Sequence, residues 1–314
     1  MGSSKLHLCE GLSGRQTATV LAAIAIYLVF QATVVGLKPM HVVLAAAFAA
    51  LYFPHPATRR LSIALLPFVI FAVTYDWMRL YPNYQVNPID IRGLHDAELS
   101  LFGISAGGGT ITPNEYFNLH HNAVADFLAG CFYLCWVPVP VAFGLMLYLK
   151  GEKKMYLHFA VVFLLVNWLG FIGYYIHPAA PPWYVINYGY EPILNTPGNM
   201  AGLARFDQLV GMPIFESIYV NNANIFAALP SLHAAYMLIT TIYAALSRRS
   251  IFVVALFACI TAGIWWTAVY SGHHYVIDVL LGIATAIIGI LLFEKVLMRT
   301  AVCRRFFEYY ERNI

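Results

Sequence analysis

Apolar positions in this chain fall in long blocks separated by polar stretches of very unequal length. Eight blocks stand out, at 17–36, 39–54, 61–80, 123–148, 156–176, 229–247, 251–269 and 274–297. Their length, about 20 residues, is what an α-helix needs to cross a hydrocarbon core. With no water to satisfy backbone N–H and C=O groups there, each block is expected to be a helix. The block 39–54 is the shortest and is read as the second arm of a 17–54 hairpin. Residues 1–15 are mixed and polar, with no small-residue cleavage site after a short apolar core, so 17–36 is read as a retained helix.

The polar stretches sort by side. Segments 55–60, 149–155 and 248–250 are short, whereas 81–122 and 177–228 are long and fall together on the opposite side. Loops longer than about 15 residues in a compact protein are usually functional. The first long segment carries turn signals at Tyr81-Pro82-Asn83, Asn87-Pro88 and Gly107-Gly108-Gly109, and Ile89 to Phe102 reads as an amphipathic helix lying in the interface. The second opens on His177-Pro178-Ala179-Ala180-Pro181-Pro182-Trp183-Tyr184. Its prolines stop the preceding helix and keep the chain extended. Trp183 and Tyr184 suit the headgroup level, and 201–218 reads as helical cover over whatever lies beneath.

Composition agrees with a bilayer as solvent. The chain is 61% hydrophobic and 11% charged, against roughly 45–50% and about 25% in soluble domains. With the N-terminus placed inside, 14 of the 18 basic residues fall on inner segments: Lys5, Arg15, Arg59, Arg60, Lys150, Lys153, Lys154, Arg248, Arg249, Lys295, Arg299, Arg304, Arg305 and Arg312. Ten of the 15 acidic residues fall on the outer side. The basic bias therefore puts both termini in the cytoplasm and both long segments outside. The net charge of +3 gives no reason to invoke nucleic acid. Cys9, Cys131, Cys135, Cys259 and Cys303 avoid the long outer segments, where no disulfide is expected. Those segments also lack a glycosylation sequon, which is compatible with a bacterial inner membrane and favours it over a Golgi membrane.

Ionisable residues at the ends of spans are costly and point to chemistry. His274 and Asp278 stand at i and i+4 and share one face of the last helix. A carboxylate there orients the imidazole and raises the basicity of its other nitrogen, leaving a histidine able to attack phosphorus. A capped helix start with a satisfied polar pair is an equal reading of those two residues alone. His233 tips the balance, because Pro230-Ser231-Leu232-His233 opens another span at the same outer side. Ser231 is expected to N-cap that helix, Ser271 to do the same for the last one, and helix starts with free N–H groups favour phosphate. Two histidines and a carboxylate suffice for metal-free phosphoryl transfer: one His attacks, the other protonates the leaving oxygen, and Asp278 supports the nucleophile.

These residues carry a resemblance. Pro230-Ser231-Leu232-His233 and His274-x-x-x-Asp278 resemble the P-S-G-H and H-x-x-x-D motifs of the type 2 phosphatidic-acid phosphatase superfamily. Phe226 to His233 and Ser271-Gly272-His273-His274-Tyr275-Val276-Ile277-Asp278 are more similar to its inositol phosphorylceramide synthase branch. So are the Pro178 to Tyr184 stretch, Glu98-x-x-Leu101-Phe102-Gly103 and Tyr75-Asp76-x-x-Arg79. The resemblance covers roughly 70–297. It implies an all-α polytopic membrane protein with a six-helix phosphatase-type transmembrane core plus the N-terminal hairpin, about eight spans in all. Read this way, 1–60 is the cytoplasmic N-terminus and hairpin, 61–297 the catalytic core and 298–314 a basic cytoplasmic tail.

The resemblance further implies transfer of phosphoinositol from phosphatidylinositol to a ceramide-type acceptor. His274 would be the nucleophile, Asp278 its partner and His233 the acid, then base, with no cofactor and no metal. Two features depart from the superfamily. Its K-x6-R-P motif is absent, and the Arg of its S-R-x5-H motif has no counterpart, since Gly272 follows Ser271. Ser231, Ser271, His273, Arg205 and backbone N–H groups are the alternatives for holding phosphate. His177, Trp183, Tyr184 and Asp126 are further candidates near a headgroup. Asp126 is expected to pair with a base or a hydroxyl, Asp76 with Arg79, and His120 and His121 to be polar flank.

A lipid phosphate phosphatase needs the same three residues and differs in letting water attack. A membrane di-iron oxygenase needs His-x-x-His-His runs that this chain lacks. A transporter would use the intramembrane charges as an ion path, but the chain has no evident inverted repeat.

Overall fold

The computed structural model describes residues 11–219 and 224–314; Lys5 and Cys9 lie outside the described residues. All eight apolar blocks are helical. Among the described residues five helices are long and apolar enough to cross a membrane: Gly14–Val35, Ala123–Leu149, Lys153–Ile176, Ile251–Tyr270 and Val276–Arg299. The pair Pro56–Ala64 and Leu66–Leu80 is long and apolar enough only when taken together, and it is bent by 47°. The bend has a sequence cause: Pro67 sits in the first turn of the second half and offers no N–H to the turn before it. Pro39–Tyr52 and Leu232–Leu246 are apolar but shorter, at 14 and 15 residues. The protein is an integral membrane protein, and the all-α expectation holds apart from one short hairpin.

The chain divides into two compact units. The smaller comprises residues 1–80 and 301–314. Within it, buried Asp76 forms an ion pair with Arg79 at 2.7 Å and lies 3.0 Å from His41 Nε2, so the i,i+3 pair expected from the sequence gains a third member from another helix. Trp77 Nε1 donates to Gln31 Oε1 (3.2 Å), and the Tyr310 hydroxyl donates to the Ile63 carbonyl (2.7 Å).

The larger unit, residues 81–300, contains His233, His274 and Asp278. Its central helix, Leu232–Leu246, packs against Lys153–Ile176, Ile251–Tyr270 and Val276–Leu291. Close packing depends on a glycine: a Cβ at Gly282 would fall 2.0 Å from the Ser231 carbonyl oxygen. Glycine at that position lets the backbone that begins the His233 helix lie directly on the helix bearing Asp278.

The two long polar segments knit together at one end of this unit. The first contains a helix, Arg92–Phe102, and a hairpin pairing Ile104–Ala106 with Gly109–Ile111. Gly107 and Gly108, both at positive φ, form the two-residue turn such a hairpin demands. A further helix, Pro113–Leu119, follows. The second segment contains Pro182–Tyr188, Ala204–Val210 and Ile214–Tyr219, so the helical cover expected at 201–218 exists but is broken at Gly211-Met212-Pro213. Asn83 ties the layers, its side-chain amide donating to the carbonyls of Tyr174 (2.8 Å) and Phe226 (2.9 Å). Asp90 N–H donates to Pro178 and Ala180 N–H to Asp90, so the proline-held strand runs between both segments.

Candidate active site

Two helix starts meet beneath these segments. Ser231 caps the Leu232–Leu246 helix, its hydroxyl accepting from Ala234 N–H at 3.4 Å while its own N–H donates to the Asp278 carbonyl at 2.9 Å. This places His233 on the first turn, with its Nδ1 3.0 Å from His274 Nε2. Trp136 and Tyr133 flank the His233 ring, at centroid distances of 4.5 and 5.0 Å. His274 Nδ1 lies 3.5 Å from Asp278 Oδ2, longer than a full hydrogen bond, and Asp278 is wholly buried. Catalytic contacts of that length in a ligand-free site tighten when the reacting group arrives. His274 thus stands between a carboxylate behind Nδ1 and a second imidazole before Nε2.

The last helix starts differently from the sequence expectation. Ser271 does not cap it. Ser271 closes the preceding helix, its hydroxyl donating to the Thr267 carbonyl at 2.7 Å. Gly272 then takes φ +77°, reversing the chain, and the new helix begins at Val276. Its first amides are not free for phosphate. Glu98, fully buried and far away in sequence, accepts from Val276 N–H (2.9 Å) and Ile277 N–H (3.2 Å). Tyr275 N–H is held by Asp278 Oδ2 (2.9 Å). A carboxylate at a helix N-terminus is favoured by the macrodipole, although burial pushes the Glu98 carboxyl above its ordinary range.

Glu98 thereby fixes the turn from which His274 and Asp278 project. Glu98→Gln replaces one acceptor oxygen with an NH2 that faces a backbone N–H. It is expected to lower turnover about ten- to hundredfold, the loss of one hydrogen bond to a charged group, while the donor KM stays unchanged. An unaltered kcat in the variant would remove Glu98 from this role.

The Ser271 hydroxyl also assigns the neighbouring histidine. Its hydrogen goes to the Thr267 carbonyl, so toward His273 Nδ1, 2.8 Å away, it can only accept. This places a proton on His273 Nδ1, and the Asn199 backbone is a further hydrogen-bond partner of the ring. Burial, with His274 beside it, pushes the His273 imidazole down to about 3, so it stays neutral at physiological pH.

The remaining candidates separate into three groups. Asp126 pairs with a base and a hydroxyl, as expected: Arg205 Nε donates to it at 2.6 Å and the Tyr270 hydroxyl at 2.8 Å, with His121 at 3.5 Å. Arg205, Trp183 and Ser271 line a cavity beside the His273–His274 loop, and Trp183 N–H donates to the Gly272 carbonyl at 2.9 Å. Tyr184 and His177 are engaged elsewhere. The Tyr184 hydroxyl, fully buried, donates to the Glu191 carbonyl (2.8 Å) and accepts from Ile193 N–H (2.6 Å), and His177 pairs with Asp90 at 2.9 Å. Sequence reasoning missed Tyr133, Trp136 and Tyr219 around the histidines, and Asn114, whose amide donates to the carbonyls of Val269 and His274, both at 2.8 Å. None of these sits in a motif. Among the described residues, no group of three or more His, Cys, Asp or Glu side chains is arranged to hold a metal ion.

Comparison with known proteins gives a consistent set. A family model described as the PAP2 superfamily matches residues 109–292. The chain is 58% identical over 302 residues to the phosphoinositol dihydroceramide synthase of Bacteroides thetaiotaomicron, covering 96% of this chain and 99% of that protein. It is 27% identical over 243 residues to the catalytic subunit of inositol phosphorylceramide synthase from Saccharomyces cerevisiae, covering 75% of this chain and 57% of the yeast protein. The inositol phosphorylceramide synthase of Candida albicans is 27% identical over 286 residues, covering 86% and 54%. The chain thus spans little more than half the length of these two fungal relatives. No solved structure matches it.

Proposed function

This chain belongs to the PAP2 superfamily, and from that premise we propose that it is a lipid phosphotransferase carrying phosphoinositol from phosphatidylinositol to a ceramide-type acceptor. The observation that carries the reading is the 3.0 Å contact between His233 Nδ1 and His274 Nε2, with Asp278 behind the second ring, in a chain 58% identical to a phosphoinositol dihydroceramide synthase along nearly its whole length.

For the first half His233 carries a proton on each ring nitrogen, with Nδ1–H facing His274 Nε2, whose own proton is on Nδ1 toward Asp278. The donor phosphoryl group enters by parting the rings. His274 Nε2 then bonds to phosphorus, the bond from phosphorus to the glycerol oxygen breaks, and His233 Nδ1 gives that oxygen its proton, releasing diacylglycerol. Asp278 supports the positive charge that develops on the His274 ring. In the second half His233, now neutral, takes the proton of the acceptor's primary hydroxyl, that oxygen bonds to phosphorus, and the bond to His274 breaks. Both substrates are amphiphiles, and a site under interfacial segments suits their lateral entry from the bilayer. The distribution of basic residues supports cytoplasmic termini and a site on the outer face.

The test is purified protein in nanodiscs with headgroup-labelled phosphatidylinositol. Label is expected to appear in the acceptor lipid only when dihydroceramide is added, with one diacylglycerol released per transfer. Release of inositol phosphate at the same rate with or without acceptor would replace this reading with hydrolysis.

A further inference from the structure

Beside the His273–His274 loop, within the larger unit, lies a cavity of about 250 Å³ whose lining is dominated by carboxamides: Asn114, Asn118, Asn187 and Asn199, with Arg205 among them. Two residues of this lining carry a buried polar atom with no partner among the described residues. Asn114 is 1% exposed, and both carbonyls it contacts, those of Val269 and His274, can only accept. Its NH2 is therefore the group turned to them, and Oδ1 is left as an unpaired acceptor. Arg205 spends Nε on Asp126 and leaves Nη2 as an unpaired donor. Both residues line the cavity, and a buried acceptor and a buried donor that lack partners among the described residues cost stability unless a ligand satisfies them.

The chemistry of the lining selects the ligand. Carboxamides offer donors and acceptors without charge, which suits a ring of hydroxyls, each of which gives one hydrogen and accepts others. Among the described residues no carboxylate lines the cavity, and Arg205 repels an ammonium, so ethanolamine- or choline-type headgroups are disfavoured. The site is also mechanically joined to the nucleophile, since Asn114 holds the His274 carbonyl at 2.8 Å.

We propose that this cavity is the subsite for the polyol headgroup of the lipid donor, with Asn114 accepting from a headgroup hydroxyl and Arg205 Nη2 donating to the headgroup. The proposal rests on the functional reading above and names the residues that give it donor specificity.

Asn118 and Asn187 are exposed, so Asn118→Leu/Asn187→Leu tests the cavity with little risk to folding. In the transfer assay the double variant is expected to raise the KM for phosphatidylinositol about tenfold, the loss of two neutral hydrogen bonds, and to leave the KM for dihydroceramide unchanged. Direct titration with glycerophosphoinositol and glycerophosphoethanolamine forms a second arm that needs no turnover. Wild type is expected to bind the inositol compound at least about tenfold more tightly, a preference the double variant loses. If wild type transfers no phosphoinositol, the functional reading fails and the titration alone judges the cavity. Equal binding of the two compounds by wild type, or an unchanged preference in the double variant, overturns the subsite.

Discussion

Replacing His274 with glutamine is expected to stop transfer, lowering turnover by about 10⁴-fold or more, because it removes the proposed nucleophile, the imidazole backed by Asp278. Glutamine roughly preserves length and polarity where the side chain is almost wholly buried, so the helix start should survive. Glu98, Ser231 and Tyr275 hold that start through backbone groups that the substitution leaves alone. The deciding measurement is covalent. Wild type quenched with labelled phosphatidylinositol and no acceptor should retain label as an acid-labile phosphoramidate. His274→Gln should retain none while unfolding at the wild-type temperature. Label retained by the variant would move the nucleophile to another residue.

Substituting His233 by alanine should cost about 10² to 10⁴ in rate with the natural donor, the range for a positioned acid and base. The size of the loss is less informative than its dependence on the leaving group. Diacylglycerol leaves as a poor alkoxide and needs the proton that His233 Nδ1 supplies. A nitrophenyl ester of phosphoinositol leaves without one. With that donor the variant should still give a first burst of nitrophenol, slowed by no more than about tenfold. Subsequent turnover should stay slow, because the acceptor hydroxyl then lacks its base. Equal losses in the burst for both donors would show that His233 positions the site rather than moving a proton.

Much of this was legible from residues close in sequence. Hydropathy marked every apolar helix because burial in lipid constrains each block independently of the others. The i,i+4 spacing put Asp278 behind His274, and the Pro-Ser pair before His233 signalled a capped helix start. The expectation for Ser271 failed for an equally local reason. The pattern Ser-Gly-His-His reads the same whether the serine starts one helix or ends the previous one, and the Gly272 backbone at φ +77° decides for the second. The group that does occupy the first amides, Glu98, is brought there by the packing of Arg92–Phe102 against Val276–Leu291, an arrangement with no periodic trace.

The cavity shows the division most clearly. Its asparagines lie on the Pro113–Leu119 helix, on Pro182–Tyr188 and in the loop before residue 201, and its arginine on Ala204–Val210. Asparagine in a long polar segment is ordinary, and nothing in spacing separates these four from any others.

By itself, then, the sequence determined a membrane-spanning helical protein and the identity of His233, His274 and Asp278, since hydropathy, helix period and two short motifs are properties of contiguous residues. Only the tertiary structure decided that His233 meets His274 at 3.0 Å, that Glu98 rather than a phosphate sits on the last helix, and that Arg205 and the asparagines share one cavity. Those facts depend on distances between segments tens to hundreds of residues apart, and such distances are set by packing, which local pattern does not encode.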